Sequence, residues 1–131
     1  MSYDLFAQAF AGGDAAPMPS SAFAVFLPYV DRADSARHHW HVHTPDGGEA
    51  DIHADVTPGT FSGFMINHFS AGQPLDLLAE FAVRAGAVIM VPGGPWLLTA
   101  EAQRGELPDD LPGTAVLIRD GGDLRQALEL R

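Results

Sequence analysis

The stretch from Arg37 to Val56 constrains the fold more than any other part of the chain. It reads R-H-H-W-H-V-H-T-P-D-G-G-E-A-D-I-H-A-D-V and holds five of the six histidines. Polar and apolar residues alternate with period two on both sides of Pro45-Asp46-Gly47-Gly48, which indicates two strands joined by a tight turn. Pro45 presets φ at the first corner and Gly47 can take the left-handed position. We therefore predict a hairpin with a three-residue loop and a glycine bulge.

This turn fixes the register of the predicted hairpin, with Thr44 facing Gly48. One face then carries histidines opposite acids or each other: His43 with Glu49, His41 with Asp51 and His39 with His53. The other face is apolar: Trp40 opposite Ile52 and Val42 opposite Ala50. Because successive side chains of a strand point to opposite sides, we expect one side to pack on the core and the histidine ladder to face away from it.

Further elements follow from apolar periodicity and from Gly and Pro punctuation. The strongest helix signal begins at Pro74, in a favoured first-turn position, and ends at Gly86 as a left-handed cap. The full prediction is a strand at 2–9 with Tyr3, Leu5 and Ala7 on one face, a loop at 11–19, a helix ending near Leu27, a polar link, the hairpin, a strand at 61–68, the helix at 74–85, a buried strand at 87–91, a helical turn at 99–103, a strand at 114–119 and a helix capped by Asp123.

This order predicts an α+β fold in a single domain spanning residues 1–131. The strand at 61–68 should pair with the second hairpin strand, with Phe64, Ile66 and His68 on one face, and complete an antiparallel meander. The strand–helix–strand from 61 to 91 has the size of a β-α-β crossover. We expect a mixed β-sheet with helices packed on one face, and the histidine ladder on the side that no helix covers.

The net charge of the chain indicates which classes of partner it can bind. The 131 residues carry a formal net charge of −10, with arginine but no lysine. Such a surface repels nucleic acid and anionic membranes and attracts a basic protein or a cation. Arginine without lysine, together with much Ala, Gly, Asp and Pro, suggests a GC-rich bacterial genome.

Two further features of the sequence limit the chemistry of the protein and indicate its cellular compartment: the absence of cysteine and the character of the first residues. The chain has no cysteine, which excludes disulfides, thiolate catalysis and cysteine-ligated metal sites. The first residues lack the pattern of a signal peptide, and no apolar run approaches a membrane span. We expect a cytoplasmic protein whose oligomeric state the sequence leaves open.

A metal site is one interpretation of the hairpin. His41 and His43 project from the same side of a strand, and Asp51 lies across from them, with Glu49 and His53 in support. Imidazoles with one carboxylate suit zinc, iron or manganese. His-x-His followed by an acid, here His41, His43 and Glu49, resembles the first motif of the cupin family, and Gly86 to Gly94 resembles the second. Trp96-Leu97-Leu98 stands where cupins carry a further histidine.

The interpretation we prefer is a non-enzymatic domain that binds a basic protein and needs no cofactor. No G-x-S-x-G elbow is present, and no other catalytic constellation is apparent. The polar sheet face of His39, His41, His43, Glu49, Asp51 and His53 is the expected docking surface. Trp96 follows Pro-Gly-Gly-Pro in a predicted loop, where it packs as a lid on the core or contributes to the interface.

In size and charge the chain is similar to immunity proteins, which bind and neutralise a basic bacterial toxin. A third interpretation places an anion or another small molecule in the loops that follow Gly72 and Pro92, because backbone amides at helix starts can bind anions.

Overall fold

A large mixed sheet organises the chain. The computed structural model describes residues 4–109 and 113–129. Its strands in chain order are β1 Leu5–Ala11, β2 Asp14–Ala16, β3 Met18–Pro19, β4 Val30–Asp34, β5 His39–His43, β6 Glu49–His53, β7 Thr60–Phe61, β8 Phe64–Asn67, β9 Val88–Met90, β10 Trp96–Leu98 and β11 Ala115–Leu117. Its α-helices are α1 Gln73–Ala85 and α2 Gly121–Glu129. Short 3₁₀ helices form at Ser20–Val25, Leu27–Tyr29, Ser35–Arg37 and Glu101–Glu106.

The strand order confirms the predicted fold class. Within the described residues the sheet runs β11-β10-β9-β1-β8-β6-β5-β4, with β2 paired on β1. Strands β4, β5, β6 and β8 form the antiparallel meander, whereas β7 pairs with β3 in a separate two-stranded sheet. Strands β8 and β9 both pair antiparallel with β1 and are therefore parallel to each other. The α1 connection between them is the β-α-β crossover, with β1 inserted at its centre.

The central hairpin forms in the predicted register. The paired residues are His39 with His53, Trp40 with Ile52, His41 with Asp51, Val42 with Ala50 and His43 with Glu49. The N–H of Thr44 donates to the carbonyl of Gly48 at 2.9 Å, and Gly47 has a φ of 83°. Turn chemistry alone was sufficient to set this register, because a glycine that accepts positive φ closes the loop at one length.

Helix α1 packs on one side of the sheet. Pro74 lies in its first turn, and Gly86 ends it with a φ of 64°. Its buried side includes Phe81, which stacks on Phe64 of β8 with ring centroids 4.5 Å apart and contacts Phe26 at 5.5 Å. Burying large aromatic side chains contributes much of the stability of a domain of this size. Of the helices in residues 4–109 and 113–129, none combines the length and apolar character needed to cross a bilayer.

The predicted helix ending near Leu27 is wrong in type. Two 3₁₀ helices form there, and Leu27 is 52% exposed while Phe23 and Phe26 are buried. A separation of three residues between apolar side chains fits a 3₁₀ helix as well as an α-helix. Pro28 lacks the N–H that an α-helix would need there, which prevents a longer helix from forming.

Three segments that were predicted as irregular are strands. Residues 14–16 fold back on β1 after Gly12 and Gly13, which both have positive φ. The polar link is the edge strand β4, whose charged residues are exposed as expected at a sheet edge. Trp96 lies in β10 rather than in a loop. Tyr3, predicted on the inner face of the first strand, lies outside the described residues.

The predicted cap of the terminal helix is shifted by three residues. Asp120 accepts the N–H of Asp123 at 3.0 Å and therefore caps α2. Asp123 instead accepts the backbone N–H of Arg119 at 2.9 Å. Asp120 directly precedes the first residue of α2, Gly121, which is the position from which a side chain reaches the free N–H groups of the first turn. Leu124 and Leu128 are buried, as predicted for the inner side of this helix.

Candidate functional site

The side of the sheet opposite α1 brings the predicted polar residues into line with apolar ones. Register pairs place seven side chains in one row across the strands: His39, His53, Met65, Phe6, Met90, Trp96 and Ala115. Strands lie about 4.8 Å apart, so the part of the row from His53 to Trp96 spans roughly 19 Å. We call this side of the sheet the helix-free face; its β5–β6 end is polar and its β1–β10 end is apolar.

Asp51 of β6 is the centre of the polar end. Its Oδ1 lies 2.9 Å from Nε2 of His39, and its Oδ2 lies 2.9 Å from Nδ1 of His68. Partial burial of Asp51 favours the neutral acid, but the hydrogen bonds from His68 and His39 outweigh it and hold the pKa of this carboxyl below its usual value. Asp51 therefore stays ionised and fixes the orientation of two imidazole rings.

The position of His68 differs from the prediction. It was expected beside Phe64 and Ile66, but its φ of 50° takes it out of the extended conformation directly after β8. Left-handed backbone is uncommon for residues other than glycine, although histidine is among those that tolerate it. The turn carries the ring to Asp51 on the helix-free face, where 66% of the side chain is exposed.

His41 is the buried member of the histidine ladder, at 7% exposure. Its Nδ1 lies 2.6 Å from Oδ1 of Asp31 on β4, and its Nε2 lies 3.5 Å from Oε1 of Glu49. The hydrogen bond from His41 is the main reason that the pKa of the Asp31 carboxyl lies below its usual value. Asp31 was not among the predicted site residues, because its segment was interpreted as a linker and not as a strand beside the hairpin.

A shallow depression of about 440 Å³ opens beside Asp51. Arg37, His39, His53 and His68 line it with Asp51. The rings of His39 and His53 contact each other at a tilt of 33°, with centroids 5.1 Å apart. Three imidazoles and one guanidinium around a carboxylate can exchange hydrogen bonds and protons with a bound group.

The three residues of the metal interpretation bond to different partners. His41 contacts Asp31 and Glu49, Asp51 contacts His39 and His68, and His43 is exposed opposite Glu49. In the described part of the chain, no group of three His, Asp or Glu side chains is arranged to hold a metal ion. The geometry instead favours carboxylate–imidazole pairs.

The apolar end of the helix-free face was missed in the sequence, apart from Trp96. Phe6 of β1 is 37% exposed and lies between Met65 and Met90. The ring of Trp96 meets that of Phe10 edge to face, with centroids 6.0 Å apart. With the glycines of the Pro92–Gly94 turn, Phe6, Met90 and Trp96 line a groove of about 520 Å³. The sequence of β1 did carry a signal for this surface, because Phe6 and Phe10 alternate with Leu5, Ala7 and Ala9 and must therefore lie on the opposite side of the strand.

The two ends together offer different chemistry on one surface. A neutral imidazole that donates one N–H to Asp51 presents its second nitrogen as an acceptor, whereas a protonated one presents a donor. The apolar end offers dispersion contacts and aromatic faces. In comparison with known proteins, the chain matches no family model, no curated protein and no solved structure.

Proposed function

We propose that the chain is a protein-binding domain that docks a basic partner through its helix-free face. The observation that carries this proposal is the single row from His39 to Trp96, in which the polar cluster continues directly into partly exposed apolar side chains. Protein interfaces combine an apolar centre rich in aromatic residues and methionine with a polar rim. Phe6, Met65 and Met90 supply the centre, and the histidines and acids supply the rim.

Charge supports a basic partner. The chain carries −10 overall, and Asp31, Asp34, Glu49 and Asp51 lie on or beside the polar end. Opposite charge on the partner would steer its approach and disfavour acidic competitors. An immunity-type role, in which the domain neutralises a basic toxin, is the specific form of binding that we propose.

The test is capture of a binding protein from the native host by immobilised chain, with a matched pair of variants. Phe6→Lys places a charge in the centre of the apolar end, whereas Val83→Lys places one on α1, where the side chain is 53% exposed. We expect a basic protein to be retained by the wild type and by Val83→Lys, and to be lost with Phe6→Lys. Circular dichroism confirms that both variants fold. Equal retention by both variants would place the interface elsewhere.

The groove at the apolar end favours a second candidate function. Its volume of about 520 Å³ falls within the range of small-molecule sites, and its lining is mostly apolar. Pro92, Gly93 and Gly94 line the groove, so a ligand bound there would lie beside one of the two loops named in the third interpretation of the sequence. Under this proposal an uncharged aromatic compound such as naphthalene would raise the melting temperature of the wild type but not of Met90→Ala, and protein capture would fail with every variant.

A further inference from the structure

The six histidines all lie on or beside the polar end of the helix-free face. Strand β5 carries His39, His41 and His43, and His53 is on β6. The flanking residues are His38, whose Nδ1 lies 3.4 Å from Asp55, and His68, which bonds to Asp51. The other charged side chains of this region are Asp4 before β1, Asp31, Arg32 and Asp34 on β4, Arg37 before β5, Glu49 and Asp51 on β6, and Asp55 after it.

Protonation would reverse the sign of this surface. Six carboxylates and two guanidinium groups leave a net charge of −4 while the six imidazoles are neutral, and six imidazolium groups would bring it to +2. Histidine is the side chain that changes charge between about pH 5 and pH 8. The hydrogen bond from His41 holds the pKa of Asp31 below its usual value. Burial raises the pKa of Asp51, but hydrogen bonds from His68 and His39 outweigh it, so this carboxylate also stays ionised over that range.

We propose that the helix-free face is a proton-controlled docking surface, which holds an arginine- or lysine-bearing segment of the partner near neutral pH and releases it in mild acid. This inference rests on the proposed protein-binding function and names its regulation. The partner segment that fits carries basic side chains over the polar end and apolar side chains over Phe6 and Met90. Charge complementarity with the six carboxylates selects a cationic segment, and the continuous row joins the two ends into one surface.

Asp51 shows how one site would switch. While neutral, His39 and His68 each donate one ring N–H to Asp51 and present a lone pair on the other nitrogen, which accepts an N–H from arginine or lysine. Once protonated, both rings carry N–H on each side, so they repel the same group. The register neighbour of Asp51 on β8 is Asn67, whose Nδ2 donates to Asp4 at 3.1 Å. The opposite side of these strands is apolar, with Val42, Ala50 and Ile52 buried, so the groups that change charge are the histidines of the hairpin and its flanks and His68.

The first experiment uses the partner recovered by capture and measures its affinity at about pH 8 and about pH 5, on either side of the imidazole range. We expect the wild type to bind at least about tenfold more weakly at the lower pH, since attraction becomes repulsion. The triple variant His39→Gln, His53→Gln and His68→Gln cannot charge at the depression. Its affinity should therefore fall on acidification by less than half as much as that of the wild type, on a logarithmic scale. Val83→Gln, at an exposed position on α1 and away from the helix-free face, is the control and should keep the full wild-type effect. Equal affinity of the wild type at both pH values would overturn the switch and leave docking intact.

The second experiment needs no partner and separates the two proposals. A short acetylated peptide of alternating arginine and leucine is titrated into the wild-type chain, and the ring signals of His39, His53 and His68 are followed by NMR. We expect binding near about pH 8 and none near about pH 5, and the reverse for a glutamate–leucine peptide of the same length. If host capture fails but the peptides show this reversal, the surface switches and the proposed cellular role is wrong. Binding of the arginine peptide that does not depend on pH would contradict the inference.

Discussion

At the scale of single residues, Asp51 has the best-defined role. It accepts hydrogen bonds from two imidazoles, and its pKa is lowered in the folded chain because those bonds outweigh the effect of burial. A carboxyl whose folded pKa lies below its unfolded value stabilises the fold at every pH above the unfolded value. That contribution is lost as the pH falls through the folded pKa.

Asp51→Asn should therefore lower the free energy of unfolding by about 1–2 kcal/mol near pH 7, the worth of hydrogen bonds to a charged group. The difference from the wild type should shrink as the pH falls below about 4, where the unfolded-state carboxyl binds its proton. Urea unfolding of both proteins at a series of acid pH values measures this difference in the free energy of unfolding. A difference that is constant down to about pH 2 would show that the carboxylate charge contributes nothing.

The sequence predicted which histidines would face acids, because register within a hairpin follows from its turn. It did not predict that Asp51 binds His39 and His68, or that His41 binds Asp31. The contact between Asp51 and His68 depends on the left-handed backbone of His68. The contact between His41 and Asp31 is made beside a bulge in β4. Both are local departures from regular strand geometry, and neither leaves a periodic signal in the sequence.

At the scale of elements, the hairpin turn and α1 support each other. A methyl group added at Gly48 would lie 2.5 Å from Oγ1 of Thr44 and 2.6 Å from Cδ of Pro74, the first-turn proline of α1. Gly48 is therefore needed for close approach of the helix start to the turn. At Gly105, by contrast, a methyl group would meet no atom within 4 Å.

Gly48→Ala should destabilise the fold by about 1–3 kcal/mol, the usual cost of inserting a methyl group into a packed site. Gly105→Ala is the matched control and should be neutral or stabilising by up to about 1 kcal/mol, since alanine narrows the unfolded ensemble. Chemical denaturation of the two variants compares them directly. Equal effects would mean that the turn does not pack tightly on α1.

Asp46 provides the polar half of the same contact. Its Oδ2 accepts the backbone N–H of Gln73 at 2.9 Å, and its Oδ1 accepts hydrogen bonds from the Thr44 hydroxyl and the Gly48 N–H. The hydrogen bond from Thr44, followed by the one from Gln73, holds the pKa of the Asp46 carboxyl below its usual value. Because Gly72 has no side chain to cap α1, the hairpin turn supplies the cap from elsewhere in the chain.

Asp46→Ala should lower the melting temperature by roughly 3–6 °C near pH 7, the shift that losing a helix cap causes in a domain of this size. Asp46→Asn should lower the melting temperature less, since the amide oxygen of asparagine can still accept a hydrogen bond from the Gln73 N–H. The effect of Asp46→Ala should fade as the pH falls through the folded pKa of the carboxyl. Asp109→Ala, at an exposed position, is the control. If Asp109→Ala lowered the melting temperature by as much, the capping role of Asp46 would be refuted.

Elements with complete local signals were predicted, and those that depend on distant pairing were not. Helix α1 carries a first-turn proline, an apolar stripe and a terminal glycine, and it forms within one residue of the predicted bounds. Strands β2 and β4 have no apolar alternation, because they are exposed and are held by backbone pairing with β1 and β5. Composition cannot reveal such strands, since their side chains face water.

At the scale of the whole molecule, the apolar end of the helix-free face is a product of topology. Phe6 is far in sequence from Met90 and Trp96 and meets them only because β1 lies between β8 and β9. The sequence predicted the crossover but not the insertion of β1 into it, so these side chains could not be assigned to one surface. The polar end was predictable because one hairpin carries most of it.

The division of the helix-free face into two ends predicts separate effects on the kinetics of docking. Charges act at a distance and change mainly the association rate, whereas contacts in a dry apolar centre change mainly the dissociation rate. Asp34→Asn and Glu49→Gln, which neutralise carboxylates of the polar end, should lower the association rate several-fold at low salt. Met90→Ala should leave the association rate within about twofold and speed dissociation by about tenfold or more.

Surface plasmon resonance with the captured partner measures both rates, at about 50 mM and about 500 mM salt, where screening lengths differ about threefold. Added salt should slow association of the wild type and largely remove its advantage over Asp34→Asn, while the dissociation rates stay close together. The defect of Met90→Ala should persist at both salt concentrations, because dispersion contacts are not screened. If salt instead speeds dissociation of the wild type and Met90→Ala behaves normally, the charged end holds the partner by itself, and the apolar end is not part of the interface.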